Sequence, residues 1–128
     1  MSKTELLTRT KAFSLRILKL VDHLPRTTPG RAIGNQLVRS GTSIGANYRA
    51  ACRSRSRVEF AARLGIVAEE ADETIYWLEL IRDGELLPAK KLTELFHEAD
   101  ELTAIFTAGR RTSSRNQTSN LKPQTSSP

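Results

Sequence analysis

Apolar residues recur at three- and four-residue steps through four separate stretches of the chain, with polar residues in the intervals. That spacing is one face of an α-helix, so the pattern predicts four amphipathic helices. The first, about Glu5 to Leu24, carries Leu6, Phe13, Ile17, Leu20 and Leu24, with Thr10 at the missing step. The second, about Pro29 to Arg53, carries Ile33, Leu37, Ser40, Ile44 and then Tyr48 or Ala51. The third, about Arg57 to Asp83, carries Phe60, Leu64, Val67, Ala71, Thr74, Leu78 and Ile81. The fourth begins near Pro88 and carries Leu92, Leu95, Ala99, Leu102 and Phe106.

The ends of these stretches carry their own signals. Ser2 with Glu5, and Ser56 with Glu59, read as capping boxes. Thr28 is the expected cap of the second helix, with Pro29 at its first position. Pro25 disfavours helix at Leu24. Gly84 is expected to end the third helix, and Gly109 the fourth. Short connections, about 25–28, 54–56 and 84–87, make consecutive helices antiparallel neighbours. The fold class is therefore all-α, an antiparallel up-down-up-down four-helix bundle over 1–109. The polar, low-complexity stretch 110–128 is expected to be a disordered C-terminal tail.

Two details go beyond a plain bundle. Gly34, Gly41 and Gly45 lie on one side of the second helix, where each costs up to ~1 kcal/mol of helix propensity. Close approach of another helix backbone would offset that cost. In the third helix, Ile75, Tyr76, Trp77, Leu78, Leu80 and Ile81 point in nearly every direction. A helix apolar all round wants burial on both sides, so Tyr76, Trp77 and Leu80 are the expected subunit interface of a homo-oligomer. A wide core face with one exposed aromatic is the plainer alternative.

Composition narrows the class. The chain has 128 residues, enough for one domain, with 38% hydrophobic and 27% charged residues. One cysteine, Cys52, fits a reducing compartment, and neither a signal peptide nor a membrane span is visible; the expected location is cytoplasmic. The net charge of +6 is unevenly spread. Residues 26–63 carry eight arginines against Glu59 alone, whereas 64–101 carry eleven acidic against three basic groups. Such blocks pair within a bundle, pair between copies, or face a charged partner.

Catalytic chemistry is not evident. Glu94-Leu-Phe-His97 is one half of a bundle di-metal motif, but His23 has Leu20 where the second glutamate would be. No metal and no cofactor are expected. The acidic run Glu69, Glu70, Asp72, Glu73 lacks a partner set for hydrolysis and reads as a solvated face or ion pairs to Arg39 or Arg49. Phosphate loops and nucleophile elbows are absent. Arg49, Arg53, Arg55, Arg57 and Arg63 cluster around the second turn, as phosphate-binding arginines do. Few aromatics interleave with them, so no base-stacking platform is expected. A basic, solvated bundle end is the competing reading.

The stretch Gln36-Leu-Val-Arg-Ser40-Gly-Thr-Ser-Ile-Gly45-Ala-Asn-Tyr-Arg49, with Ala12-Phe13, Ile17 and Leu24-Pro25, resembles the 23S ribosomal RNA intervening-sequence protein family. Phe60–Leu80 resembles one of its branches, and the likeness covers about residues 5–108. The resemblance implies a bundle that assembles into a ring, a homopentamer. Some members are encoded within insertions in large-subunit ribosomal RNA genes. Similar bundles accompany the reverse transcriptases of diversity-generating retroelements, where a basic ring engages nucleic acid and polymerase. This chain has Tyr48-Arg49-Ala50-Ala51 where many members carry an acidic residue after the asparagine.

Arg39, Ser40, Ser43 and Asn47 match that motif and fall along one side of the second helix. They are expected to form a structural polar seam with Glu70 and Glu73, since a buried charge needs a partner. The expected function is a non-enzymatic oligomeric scaffold. Its partners would be itself and either RNA or a nucleic-acid-processing protein, with no membrane. The alternative is a purely structural or protein-interaction oligomer.

Overall fold

The computed structural model describes the backbone of residues 1–126 and the side chains of residues 1–114. It holds four α-helices: α1 (Lys3–Val21), α2 (Thr28–Ala51), α3 (Arg57–Asp83) and α4 (Thr93–Ser126). A 3₁₀ turn, Ala89–Lys91, precedes α4, and no strand occurs among the described residues. α1 packs on α2, α2 on α3 and α3 on α4, as short loops require. α1 and α4 approach each other at few backbone positions, and long side chains close that seam.

The four apolar stripes meet in one core. Phe13, Ile17, Leu37, Ile44, Leu78, Ile81, Leu92, Leu102 and Phe106 are all but sealed from solvent. Each such side chain contributes ~1.5–3 kcal/mol by leaving water. Tyr48 joins them, its ring centroid 5.1 Å from that of Phe106. The hydroxyl of Thr10, at the gap in the first stripe, donates to the Leu6 carbonyl at 2.8 Å, so its burial leaves no unmet donor.

The glycines of α2 do what their line foretells. A Cβ at Gly41 would sit 2.9 Å from Ile17 Cγ1, and one at Gly45 would sit 3.4 Å from Thr10 Oγ1. Gly34 faces Leu24 and Val21 in the same way. The α1 and α2 backbones are thus drawn together along most of α1, which offsets the propensity cost.

Several boundaries differ from expectation. α1 ends at Val21, not Leu24; Leu24 instead leaves the helix and buries as an anchor before Pro25. Thr27, not Thr28, caps α2, its hydroxyl accepting from Gly30 N at 3.2 Å. Ser2 and Ser56 cap as expected, accepting from Glu5 N and Glu59 N at 3.1 Å. The return bond differs: the Glu59 carboxylate takes the N–H of Arg55 rather than of Ser56.

At the end of α3, Gly84 keeps a right-handed conformation and Glu85 takes the left-handed one, φ 57°. Leu86 N donates to Ile81 O at 2.9 Å and Glu85 N to Arg82 O at 3.1 Å, the two bonds of a Schellman stop. α4 starts at Thr93 rather than near Pro88, because Pro88 is extended and the 3₁₀ turn intervenes. It also runs through Gly109 without a break. One glycine costs only ~1 kcal/mol and does not stop a helix that packing supports, and Gly109 lies against Leu64 of α3. The expected tail falls mostly beyond the described side chains.

Candidate nucleic-acid interface

The bundle's antiparallel order decides which charged residues share a region. The start of α1, the end of α2 and the start of α3 lie at one end of the bundle, and α4 reaches them beyond Gly109. All five arginines of the second turn are there. Arg49, Arg53, Arg55 and Arg57 are exposed and have no ion pair among the described residues. Arg63 differs, because its Nε donates to Glu59 at 3.1 Å within α3.

The structure then divides the cluster. Arg49 and Arg53 face α1 and help line a groove of about 510 Å³ between α1 and α2. Lys3 and Lys11 of α1 line the opposite wall. Arg55, Arg57 and Arg63 do not line it. Lys3 and Lys11 escape sequence reasoning because some forty residues separate them from the arginines; only helix pairing makes them neighbours. Arg110 is a further cation at this end, its side chain lying 3.3 Å from where a Cβ of Gly65 would stand.

Five carboxylates of the acidic stretch 64–101 are paired with arginines of α1 and α2 outside this cluster. Arg9 of α1 grips Glu98 with bonds of 2.7 and 2.6 Å and reaches Glu101 at 2.8 Å. Arg16 lies 3.6 Å from Glu94. Arg39 of α2 pairs with Glu73 and lies 3.4 Å from Glu70. None of these carboxylates is paired with the arginines of the second turn.

The polar residues of α2 separate into two groups. Arg39, Glu70 and Glu73 come together, and Trp77 Nε1 donates to the same Glu73 carboxylate at 2.9 Å. Ser40 is buried and bonds the Thr74 hydroxyl at 3.0 Å, a partner that the apolar spacing had assigned to the core stripe. Ser43 and Asn47 do not reach α3: the Ser43 hydroxyl donates to Arg39 O and the Asn47 amide to Ser43 O, within α2. Both are short polar side chains on the same helix, and the carbonyl one turn back is nearer than any carboxylate.

On α3, Tyr76 is 52% exposed, while Trp77 and Leu80 are half-buried. Tyr76 and Trp77 meet edge to face, centroids 5.1 Å apart. Val58 and Ile66 are exposed on the same helix. Among the described residues there is no group of three or more metal-ligating side chains, and no helix is long and apolar enough to cross a membrane. His97 is exposed, and it belongs to no group of three or more possible metal ligands among the described residues.

A family model described as 23S rRNA-intervening sequence protein matches residues 2–108. The chain belongs to that family. The match spans the whole bundle up to Gly109 and includes the basic end. A solved structure from Bacteroides thetaiotaomicron, titled as a protein with unknown function from the S23 ribosomal protein family, shares 31% identity with it. That likeness covers 87% of this chain and 99% of the other, at a TM-score of 0.79. A comparison with curated proteins finds no match. Family membership and the solved structure thus give the fold and leave the activity open.

Proposed function

We propose that this family bundle is a non-enzymatic scaffold that binds RNA, or a nucleoprotein, through its basic end. One observation carries the reading. Arg9, Arg16 and Arg39 are taken up by Glu70, Glu73, Glu94, Glu98 and Glu101, whereas the side chains of Arg49, Arg53, Arg55 and Arg57 are exposed without an ion pair among the described residues. Uncompensated cations on a rigid support are the footprint of a polyanion site, since each phosphate neutralised releases bound counterions. The family's name, which refers to an intervening sequence in ribosomal RNA, supports the same class of partner.

The scaffold acts as a homo-oligomer, the pentamer that the family resemblance implies. Exposed Val58, Ile66 and Tyr76 along α3 support it, because a free bundle has no use for that much apolar surface on one helix. The site belongs to the cytoplasm, where a free cysteine and ribosomal RNA are both at home. The purified chain should retain RNA at low salt and release it steeply as salt rises. Failure to retain any RNA at low salt refutes the reading. The second reading, an oligomer held by charge pairing between copies, predicts that R53E/R57E breaks the assembly instead, which light scattering would register.

A further inference from the structure

The groove between α1 and α2, about 510 Å³, carries a single sign of charge. Its walls bear Lys3 and Lys11 on one side, Arg49 and Arg53 on the other, and no carboxylate. None of the four has an ion pair among the described residues. We propose that this groove, rather than the α2–α3 turn, seats a ribose-phosphate strand of RNA, with the two α1 lysines as binding residues equal to the arginines.

The geometry favours an extended polyanion. Lys3 and Lys11 are eight residues apart on α1, about 12 Å of helix, and Arg49 and Arg53 are one turn apart, about 6 Å. The antiparallel contact of Thr10 with Gly45 brings Lys3 level with Arg53. The cations therefore form two facing rows, suited to successive phosphates rather than to one. The floor is low, because Gly45, Ala46 and Ser14 bring little side-chain bulk and allow a sugar to approach the helices.

An acidic protein helix is the other linear anion. A helix docks in a groove chiefly by apolar anchors at one-turn intervals. This floor offers Leu7 as its one large apolar side chain, so attraction must come from charge. The absence of an aromatic from the lining means that bases are not stacked, and binding is indifferent to sequence.

The proposal rests on the RNA reading for its ligand, and its test separates the two. A labelled single-stranded RNA oligonucleotide of mixed sequence is titrated by anisotropy into the full chain, K3A/K11A and K90A/K91A over a salt series. Counterion release gives a salt slope of about 0.7 per phosphate contact on a single strand, or about fivefold in affinity per contact at 0.1 M salt. K3A/K11A should therefore bind about 25-fold more weakly, with the slope reduced by about 1.4. K90A/K91A, at the opposite end of the bundle and outside the groove, should keep the native slope. Cys52, which lines the groove, should react more slowly with neutral iodoacetamide when RNA is bound.

Unchanged binding by K3A/K11A overturns the groove while leaving RNA binding intact; no binding by the native chain overturns both. Equal competition by polyglutamate overturns the strand specificity. A change in the particle mass of K3A/K11A by light scattering would mean that the groove is covered by a second copy, which also overturns the proposal. Both lysines are exposed on α1, and circular dichroism checks that the variants fold.

Discussion

Arg9 of α1 and Glu98 of α4 form a two-pronged ion pair, with bonds of 2.7 and 2.6 Å, across the helix seam with the fewest backbone contacts. The side chains are 22% and 15% exposed, so the pair is neither freely solvated nor sealed. It holds α1 to α4 where the two helix backbones approach at few positions. Charge-assisted, bidentate geometry makes it stronger than a surface pair. Arg9→Ala should destabilise the bundle by about 1–3 kcal/mol. A double-mutant cycle with Glu98→Ala, read by chemical denaturation, should show positive coupling between the two sites.

Gly30 is the least replaceable glycine. A Cβ there would stand 2.0 Å from the Pro25 carbonyl oxygen, which is backbone and cannot rotate away. Gly30→Ala should cost about 3 kcal/mol or more, as overpacking against a fixed group does. Gly45→Ala meets Thr10 at 3.4 Å and should cost far less. Thermal melts of the two variants give the ranking.

Glu85 holds a left-handed conformation that an L-residue adopts at a penalty. The Schellman bonds around it fix that conformation regardless of side chain. Glu85→Gly should raise stability by roughly 1 kcal/mol, and a higher denaturation midpoint at unchanged m-value would show it.

Arg39 is 47% exposed, so its pairing with Glu73 and Glu70 is partly screened. Arg39→Met should cost under about 1 kcal/mol in melting stability if the seam is only an ion pair. It also releases the Glu73 carboxylate that Trp77 Nε1 donates to. A shift in tryptophan emission should therefore accompany the change. Unaltered emission, assembly and melting together would remove any structural role for the seam.

Burial pushes the Tyr48 phenol well above its usual range, helped by the Cys52 thiol beside it. The neutral phenol is the form the fold favours. The stability linked to it is complete below the unfolded value of about 10 and is lost as pH rises beyond that. In a Tyr76→Phe background, phenolate absorbance at 295 nm should appear in the native protein only at higher pH than in the urea-unfolded chain.

The helices were legible because burial repeats along them: Leu6, Phe13, Ile17, Leu37, Ile44, Leu78, Leu102 and Phe106 are core positions by spacing and by structure. The glycine line of α2 was legible for the same reason, as each cost demanded a contact. Helix ends were less so. At Gly84 and Glu85 the deciding quantity was a pair of backbone bonds rather than residue type, and at Gly109 packing on Leu64 outweighed propensity. The basic site was half legible. Arg49 and Arg53 announced themselves by density in sequence, whereas Lys3 and Lys11 joined them only through the fold. Ser43 and Asn47 looked like seam residues by periodicity, but the nearest acceptor for each lay on its own helix.

Lys3, Lys11, Arg49 and Arg53, without an ion pair among the described residues, gather in one groove, whereas Glu94, Glu98 and Glu101 are held in ion pairs along the α1–α4 seam. Concave walls of one sign focus the field there. Within about 10 Å at 0.1 M salt, a polyanion would feel that field before it made a contact. Encounters at the groove become more frequent without any gain in the strength of the final grip.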